Sequence, residues 1–419
     1  MNRFLPIIQT ICARQACTRP WRVLIPTGIF FRALCLLLLC AQFAPAGTIQ
    51  PVYDEQDWRL AMPGWEYTFP SDHGTHDEFQ TEWWYFTGHL REKGGGRSYA
   101  YQLTFFRQGI TPPRRLAKLE KENPDKPLSA WRLKNIYFAH FAFSDINGNN
   151  FTFAEKVSRG TLGLAFYSRD QFWVQIGSWF ARALPPLRKD ANLRMEESFE
   201  LSGGTGDISL RLRCTRVKPA VFHGKNGVSQ KSAGPGRATH YYSMTRLDTE
   251  GTIMIGSSKI EVEGLSWFDK EFGTNQLDPE QIGWDWLSIQ LDNGEEIMLY
   301  GIRMKDGSLS EFSSGTLIDV NGKSIHLKKN EFIMTPLRYW ISPVTKASYP
   351  IVWTVEIPAR GYKLSIAAAL ENSELNIQSI GRIDYWEGAI NITGSKQNEP
   401  LKGNGFLEMT GYAQKLSTR

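Results

Sequence analysis

Between Trp83 and Thr393 the chain is a succession of short runs, rich in aromatic and β-branched residues, cut by tight-turn signals. The runs include Trp83–Gly88, Tyr99–Phe106, Asn135–Ser144, Phe151–Val157, Phe172–Trp179, Asp207–Val217 and Tyr241–Leu247. They continue through Thr252–Ile255, Lys259–Phe268, Trp284–Leu291, Glu296–Arg303, Val352–Ile357 and Ala389–Thr393. Asn147-Gly148, Asp292-Asn293-Gly294, Asp306-Gly307 and Asn321-Gly322 stand where hairpins need residues that tolerate positive φ. Only Arg114–Glu122 carries a helical pattern. A chain that alternates with period two and turns on Asn-Gly or Asp-Gly cannot bury its apolar faces as helices. The pattern predicts an all-β protein of consecutive antiparallel hairpins, closed into barrels or sandwiches. Two stretches read as loops: Leu184–Ser198, rich in Pro and charge, and Gly224–Arg237, rich in Gly, Ser and Lys. The second lacks the GxxxxGK[ST] spacing of a phosphate-binding loop and reads as a flexible surface loop.

The charge is unevenly placed. The chain has 419 residues, 48 Lys+Arg against 43 Asp+Glu, and a formal net charge of +5. Five arginines and no acidic residue lie in residues 1–46, so the remainder balances. A basic patch for nucleic acid therefore has no compositional support. Ala33–Ala41 is a nine-residue apolar core behind Arg32, followed by Ala44-Pro45-Ala46. Nine apolar residues suit a signal peptide and fall short of the roughly 20 that span a bilayer. Residues 1–46 are expected to be a signal peptide, giving a periplasmic or secreted protein without a transmembrane span. Cys40 as a lipoprotein anchor is disfavoured, because the large Leu39 precedes it. Four of the five cysteines share the leader, which leaves Cys214 alone and no disulfide framework. The remaining residues divide into domains at 47–275 and 276–419.

Three constellations carry candidate chemistry. In Asp72–Glu78, His73 and His76 stand among carboxylates, a weak metal-binding pattern whose plainer reading is a polar entry loop. The strand after it carries Glu82, Trp84 and Phe86 on one face. His240-Tyr241-Tyr242-Ser243 and Trp267-Phe268-Asp269-Lys270-Glu271 form the second constellation. Period two pairs His240 with Tyr242, and Trp267 with Asp269 and Glu271, on the next-but-one strand. If those faces converge, an imidazole and two carboxylates lie among aromatic rings. A buried Asp269 would then keep its proton near neutral pH and could donate it to an alkene. Flanking rings would stabilise the resulting cation. The plainer alternative makes Asp269 a turn cap or an ion-pair partner and the rings core. The third constellation, the strand with Trp284 and Trp286, looks chiefly architectural, with both indoles as candidates for a ligand wall. No zinc-spaced ligand set and no cofactor motif occurs.

Asp72–Gly88, Tyr241-Tyr242-Ser243, Gly264–Gly273, Trp284-Asp285-Trp286, Asp384–Gly388 and Gly405–Tyr412 resemble the AttH/CrtC family. That family holds AttH-like secreted proteins and carotenoid 1,2-hydratases, with fungal lipocalin-like pericyclases as distant relatives. The resemblance covers nearly the whole chain after the leader. It implies two lipocalin-like antiparallel barrels packed together, with a ligand cavity in or between them. The hydratase branch is similar to His-x-Trp followed by Tyr-x-Asp; here the positions read His240-x-Tyr242 and Trp267-x-Asp269. The acid stays while the wall changes. AttH-like proteins are often labelled secreted hydrolases, but no GxSxG elbow occurs here. The resemblance also implies company with ABC-transporter components.

Two functions follow as expectations. The first is an exported carrier of an apolar small molecule or lipid, accessory to an ABC transporter. The second is a hydratase or isomerase acting on an isoprenoid-like alkene through Asp269 as general acid, with His240 orienting it. Tyr242, Trp267, Glu271, Glu82, Trp84, Trp284 and Trp286 are the candidate ligand wall.

Overall fold

The structure is a computed structural model that describes residues 50–415, apart from 127, 130, 186–196, 275–276 and 380–381. The expected signal peptide and Cys40 lie outside the described residues, as does the expected domain boundary at 275/276. Among the described residues, no helix is long and apolar enough to cross a membrane.

The first sheet contains β1 (Thr81–Glu92), β2 (Ser98–Gly109), β3 (Asn135–Asp145), β4 (Asn150–Ser158), β5 (Ala165–Tyr167), β6 (Trp173–Ile176) and β7 (Trp179–Ala183). It continues with β8 (Ser198–Thr205), β9 (Ile208–Arg216), β10 (Val221–Phe222), β11 (Val228–Gln230), β12 (Ala238–Ile255) and β13 (Ser258–Thr274). The second sheet contains β14 (Gln281–Leu291), β15 (Glu296–Met304), β16 (Ser314–Ile318), β17 (Ser324–Lys328) and β18 (Ile333–Ile341). Its last members are β19 (Ser348–Ile357), β20 (Tyr362–Ala368), β21 (Glu374–Ile377), β22 (Ile383–Lys396) and β23 (Glu399–Thr410). All pairings are antiparallel, in the orders β4-β3-β2-β1-β13-β12-β9-β8-β7-β6-β5 and β17-β16-β15-β14-β23-β22-β20-β19-β18. The first sheet curls until β4 packs on β6 and β8. The lipocalin-like all-β architecture expected from the runs and their turns is therefore what the chain forms. The helical pattern is α1 (Pro113–Glu122), with Pro at its first turn.

Two expectations change. Tyr241–Leu247 and Thr252–Ile255 are not separate strands: both belong to β12, which absorbs a bulge between Met244 and Leu247. The strand bearing Asp269 is therefore the next one, joined to β12 as a hairpin. Gly224–Arg237 is no flexible surface loop either, since it contains β11 and buries Lys231 and Ser232.

Each barrel is filled by its own inward side chains. Trp84, Phe86, Phe105, Phe141, Phe199 and Phe268 lie in the first, with Leu287, Ile289, Tyr349, Ile366 and Trp386 in the second, all without exposed surface. Both interiors are therefore packed with apolar and aromatic side chains. A third cluster is built from the outward faces of both sheets: Tyr85, Ala100, Tyr241 and Trp267 meet Trp286, Met298, Tyr300, Ala389 and Phe406. This seam is pinned by Glu296, which binds Lys218 at 2.7 Å and Arg246 at 2.5 Å from the first sheet.

Candidate active site in the seam between the sheets

Strand register decides which candidates meet. Asp269 lies directly across from Ser243 on β12 and Tyr85 on β1, and His240 across from Phe272. Directly paired residues share a face, so Asp269, Glu271 and Trp267 point into the seam. His240, Tyr242, Glu82 and Trp84 point into the first barrel. The expected convergence of His240 with Asp269 does not occur, because parity puts them on opposite faces of one hairpin.

Asp269 is buried and held by three donors. Tyr241 Oη donates at 2.7 Å and Trp267 Nε1 at 2.6 Å, both side chains lying on the same face. Ser243 Oγ donates to the other side of Oδ1. Burial pushes the Asp269 carboxyl up to about 7, although the three hydrogen bonds pull the other way. Behind Ser243 stands His223, with Nε2 2.5 Å from Ser243 Oγ and Nδ1 2.8 Å from Thr316 Oγ1. Burial, with Lys231 and His326 nearby, holds this imidazole neutral. The hydrogen bonds then have one consistent direction: Thr316 donates to Nδ1, Nε2–H to Ser243, and Ser243 to Asp269.

The opposite wall carries acids too. Tyr85 Oη donates to Glu387 Oε1 at 2.6 Å. Glu387 sits across from Glu408 in the β22–β23 pair, and Glu408 across from Trp286 in the β14–β23 pair. Burial first, then the neighbouring Glu408, raises Glu387 well above the usual carboxylate range. Burial and Asp269 raise Glu408 to about 8. Like charges directly opposite one another in a sheet repel, so protons stay on this side. On the first sheet, Lys231 reaches Glu271 at 3.1 Å and Thr239 donates to it. The Lys231 ammonium also lies 4.2 Å above the Tyr300 ring. Trp286 completes the wall, edge-on to Tyr85 at 5.3 Å and donating to Tyr241 Oη at 3.1 Å. Trp83, Trp284 and Glu408 keep part of their surface accessible.

The remaining candidates fall elsewhere. Glu82 binds Lys270, and Arg107 at 3.0 Å, with all three side chains fully buried. These cations overcome burial and hold the Glu82 carboxyl well below the usual range. Lys270 in turn lies 3.6 Å above the Trp84 ring. His76 spends both nitrogens on Glu82 and Asp72, at 2.7 and 2.9 Å. His73 spends both of its own on Tyr242 and Glu197, at 2.6 Å each. Among the described residues, no group of three metal-binding side chains converges. His240 is caged by Trp65, Phe79 and Phe272, and burial pushes it down to about 3.

Of the expected residues, Asp269, Glu271, Trp267 and Trp286 therefore gather in the seam, and Trp284 lies beside them. Sequence reasoning left out Tyr85, His223, Lys231, Glu387 and Glu408. Glu387 stands in the Asp384–Gly388 motif, and its alternation with Tyr385 and Ala389 is the signal that could have found it.

The raised acid predicts a pH signature. Between pH 5 and 7 folded Asp269 holds a proton that the unfolded chain has released, so stability falls as pH rises. Going from pH 5 to 8 in urea melts, the wild type is expected to lose about 2 kcal/mol more than Asp269→Asn. Equal losses would mean that Asp269 is already ionised at pH 5.

Comparison with known proteins agrees with this architecture. The family model described as AttH-like matches residues 60–412. The crystal structure of an AttH protein from Nitrosomonas europaea superposes with TM-score 0.71 at 28% identity, covering 84% of this chain and 99% of that one. Kievitone hydratase from Nectria haematococca shares the fold at TM-score 0.62 and 14% identity, covering 87% of this chain and 99% of that one. The dehydratase asqC of Emericella nidulans is 21% identical over 259 residues, 57% of this chain and 72% of its own length. With a family match across both sheets, the chain belongs to the AttH-like family.

Proposed function

We propose that this protein is a hydro-lyase, which adds water to or removes it from a neutral, largely apolar small molecule bound in the seam. One observation carries the reading: Asp269, buried among Tyr241, Trp267 and Trp286, titrates near neutrality and so serves as acid and base in turn. In the dehydrating direction its carboxylate takes a proton from carbon while the hydroxyl leaves. In the hydrating direction the carboxyl returns that proton to an alkene, and the indole and phenol faces stabilise positive charge at the neighbouring carbon. Ser243 holds the carboxyl in place, and it is oriented in turn by His223 and Thr316. The dehydratase among the relatives supports this reaction class over a carrier working beside an ABC transporter. Export directed by residues 1–46 belongs to the same proposal and would place the reaction outside the cytoplasm.

Native mass spectrometry of protein purified from its own host tests the reading. The expected result is a neutral molecule retained by wild type and by Asp269→Asn, with a second species differing by one water formed only by wild type. A retained molecule that neither form converts would contradict the enzyme and leave a carrier.

A further inference from the structure

Three polar atoms at the seam are buried without a hydrogen-bond partner: Thr87 Oγ1, Gln102 Oε1 and Glu387 Oε2. Their side chains are 1, 2 and 1% exposed. Such an atom costs about 1–3 kcal/mol when left unpaired, so three at one place call for an explanation. They are at one place. Thr87 lies directly across from Gln102, and both share the seam face of β1–β2 with Tyr85. Tyr85 reaches Glu387 at 2.6 Å, and Gln102 Nε2 approaches the Tyr385 hydroxyl, two residues before Glu387 on the same face, at 3.4 Å. The rest of the Gln102 and Glu387 side chains is fixed, since Gln102 Nε2 donates to Thr104 at 2.8 Å and Glu387 Oε1 accepts from Tyr85. Small side chains, Ala100 and Ala389, belong to the same cluster.

We infer that Thr87, Gln102 and Glu387 form a subsite that takes one neutral hydroxyl group, carried by the ligand or released as water. The donor inventory selects this group. Gln102 Oε1 only accepts, so it takes the hydroxyl proton, while Thr87 and a protonated Glu387 donate to the hydroxyl oxygen. An ammonium could not accept from Glu387, and a carboxylate has no proton to give Gln102 Oε1 and would leave it unpaired.

The inference rests on the hydro-lyase reading and extends it to the oxygen side of the reaction. The C–H electron pair becomes the new π bond as Asp269 takes the proton. The C–O pair leaves on oxygen, which takes the Glu387 proton and departs as water. Asp269 has then gained one proton and Glu387 lost one, and solvent restores both. Each sheet thus supplies one acid–base group.

Geraniol and geranic acid are suitable probes, read by quenching of intrinsic tryptophan fluorescence and by a high-resolution crystal soak. Geraniol is expected to bind at least tenfold more tightly than geranic acid above pH 7. Thr87→Val/Gln102→Leu should weaken geraniol at least tenfold, with the near-isosteric Thr87→Val alone showing the same direction. The soaked crystal should place the alcohol oxygen within hydrogen-bond distance of at least two of the three atoms. An unsoaked crystal should show water there. Failure of geraniol to bind, equal binding by wild type and the double variant, or an alcohol oxygen seated at Asp269 instead would each overturn the subsite. Asp269→Asn separates the two claims, since it should abolish turnover yet hold geraniol within threefold of wild type.

Discussion

Asp269→Asn is expected to lower turnover by about a thousandfold, within the range that proton transfer by a positioned side chain contributes. The fold should survive, because the asparagine can satisfy the same neighbours. Its amide oxygen can stand at the Oδ1 position, where Trp267 and Ser243 donate. Its NH2 then faces Tyr241, whose hydroxyl accepts and already accepts from Trp286. Shape and the Trp267 and Ser243 hydrogen bonds are kept, the Tyr241 bond is reversed, and the transferable proton is lost. A thermal or urea midpoint close to wild type, beside lost turnover, is the expected pair of measurements. Lost turnover with a collapsed midpoint would instead mean a structural role.

The second large effect is on stability. Glu82→Ala is expected to cost about 3–5 kcal/mol in urea denaturation, because it removes the carboxylate shared by two buried cations. Lys270 and Arg107 have no exposed side-chain surface, and Glu82 is the carboxylate between them. Arg107 keeps Asp77 at 3.8 Å and the His76 and Phe79 carbonyls at 3.0 and 2.8 Å, whereas Lys270 keeps the Trp84 face, which does not neutralise its charge, so most of the loss falls on Lys270. Replacing the pair together, as Glu82→Leu/Lys270→Met, should recover a large part of the loss. A Glu82→Ala protein within 1 kcal/mol of wild type would show that water reaches the cluster and that it is not the sealed network described above.

Much of the architecture was legible because it rests on local rules. Alternation with period two and Asn-Gly or Asp-Gly turns marked the hairpins, and the periodicity of Arg114–Glu122 marked the helix. The site was only half legible, and the reason is parity. Trp267, Asp269 and Glu271 can be placed on one face from spacing alone, but which face of β12 they join depends on register. That register sets Ser243, not His240, against Asp269. A bulge between Met244 and Leu247 also fused two apparent strands, which removed the intervening strand that the convergence of His240 and Asp269 had assumed. Contacts across the seam were beyond local reading: Tyr85 and Glu387 are 302 residues apart. Lys231 was hidden for another reason, because a Gly- and Ser-rich stretch reads as loop until Glu271 and Tyr300 are seen to receive its ammonium.

The most direct test of the seam as active site is incorporation of solvent deuterium into the co-purifying molecule in D2O, followed by mass spectrometry for three proteins. Wild type and His240→Ala are expected to place one deuterium on carbon at similar rates, while Asp269→Asn places none. His240 lies on the opposite face of the same hairpin, so it controls for general disturbance of β12 and β13. Exchange lost in His240→Ala and kept in Asp269→Asn would move the chemistry to the aromatic cage of the first barrel and contradict the account.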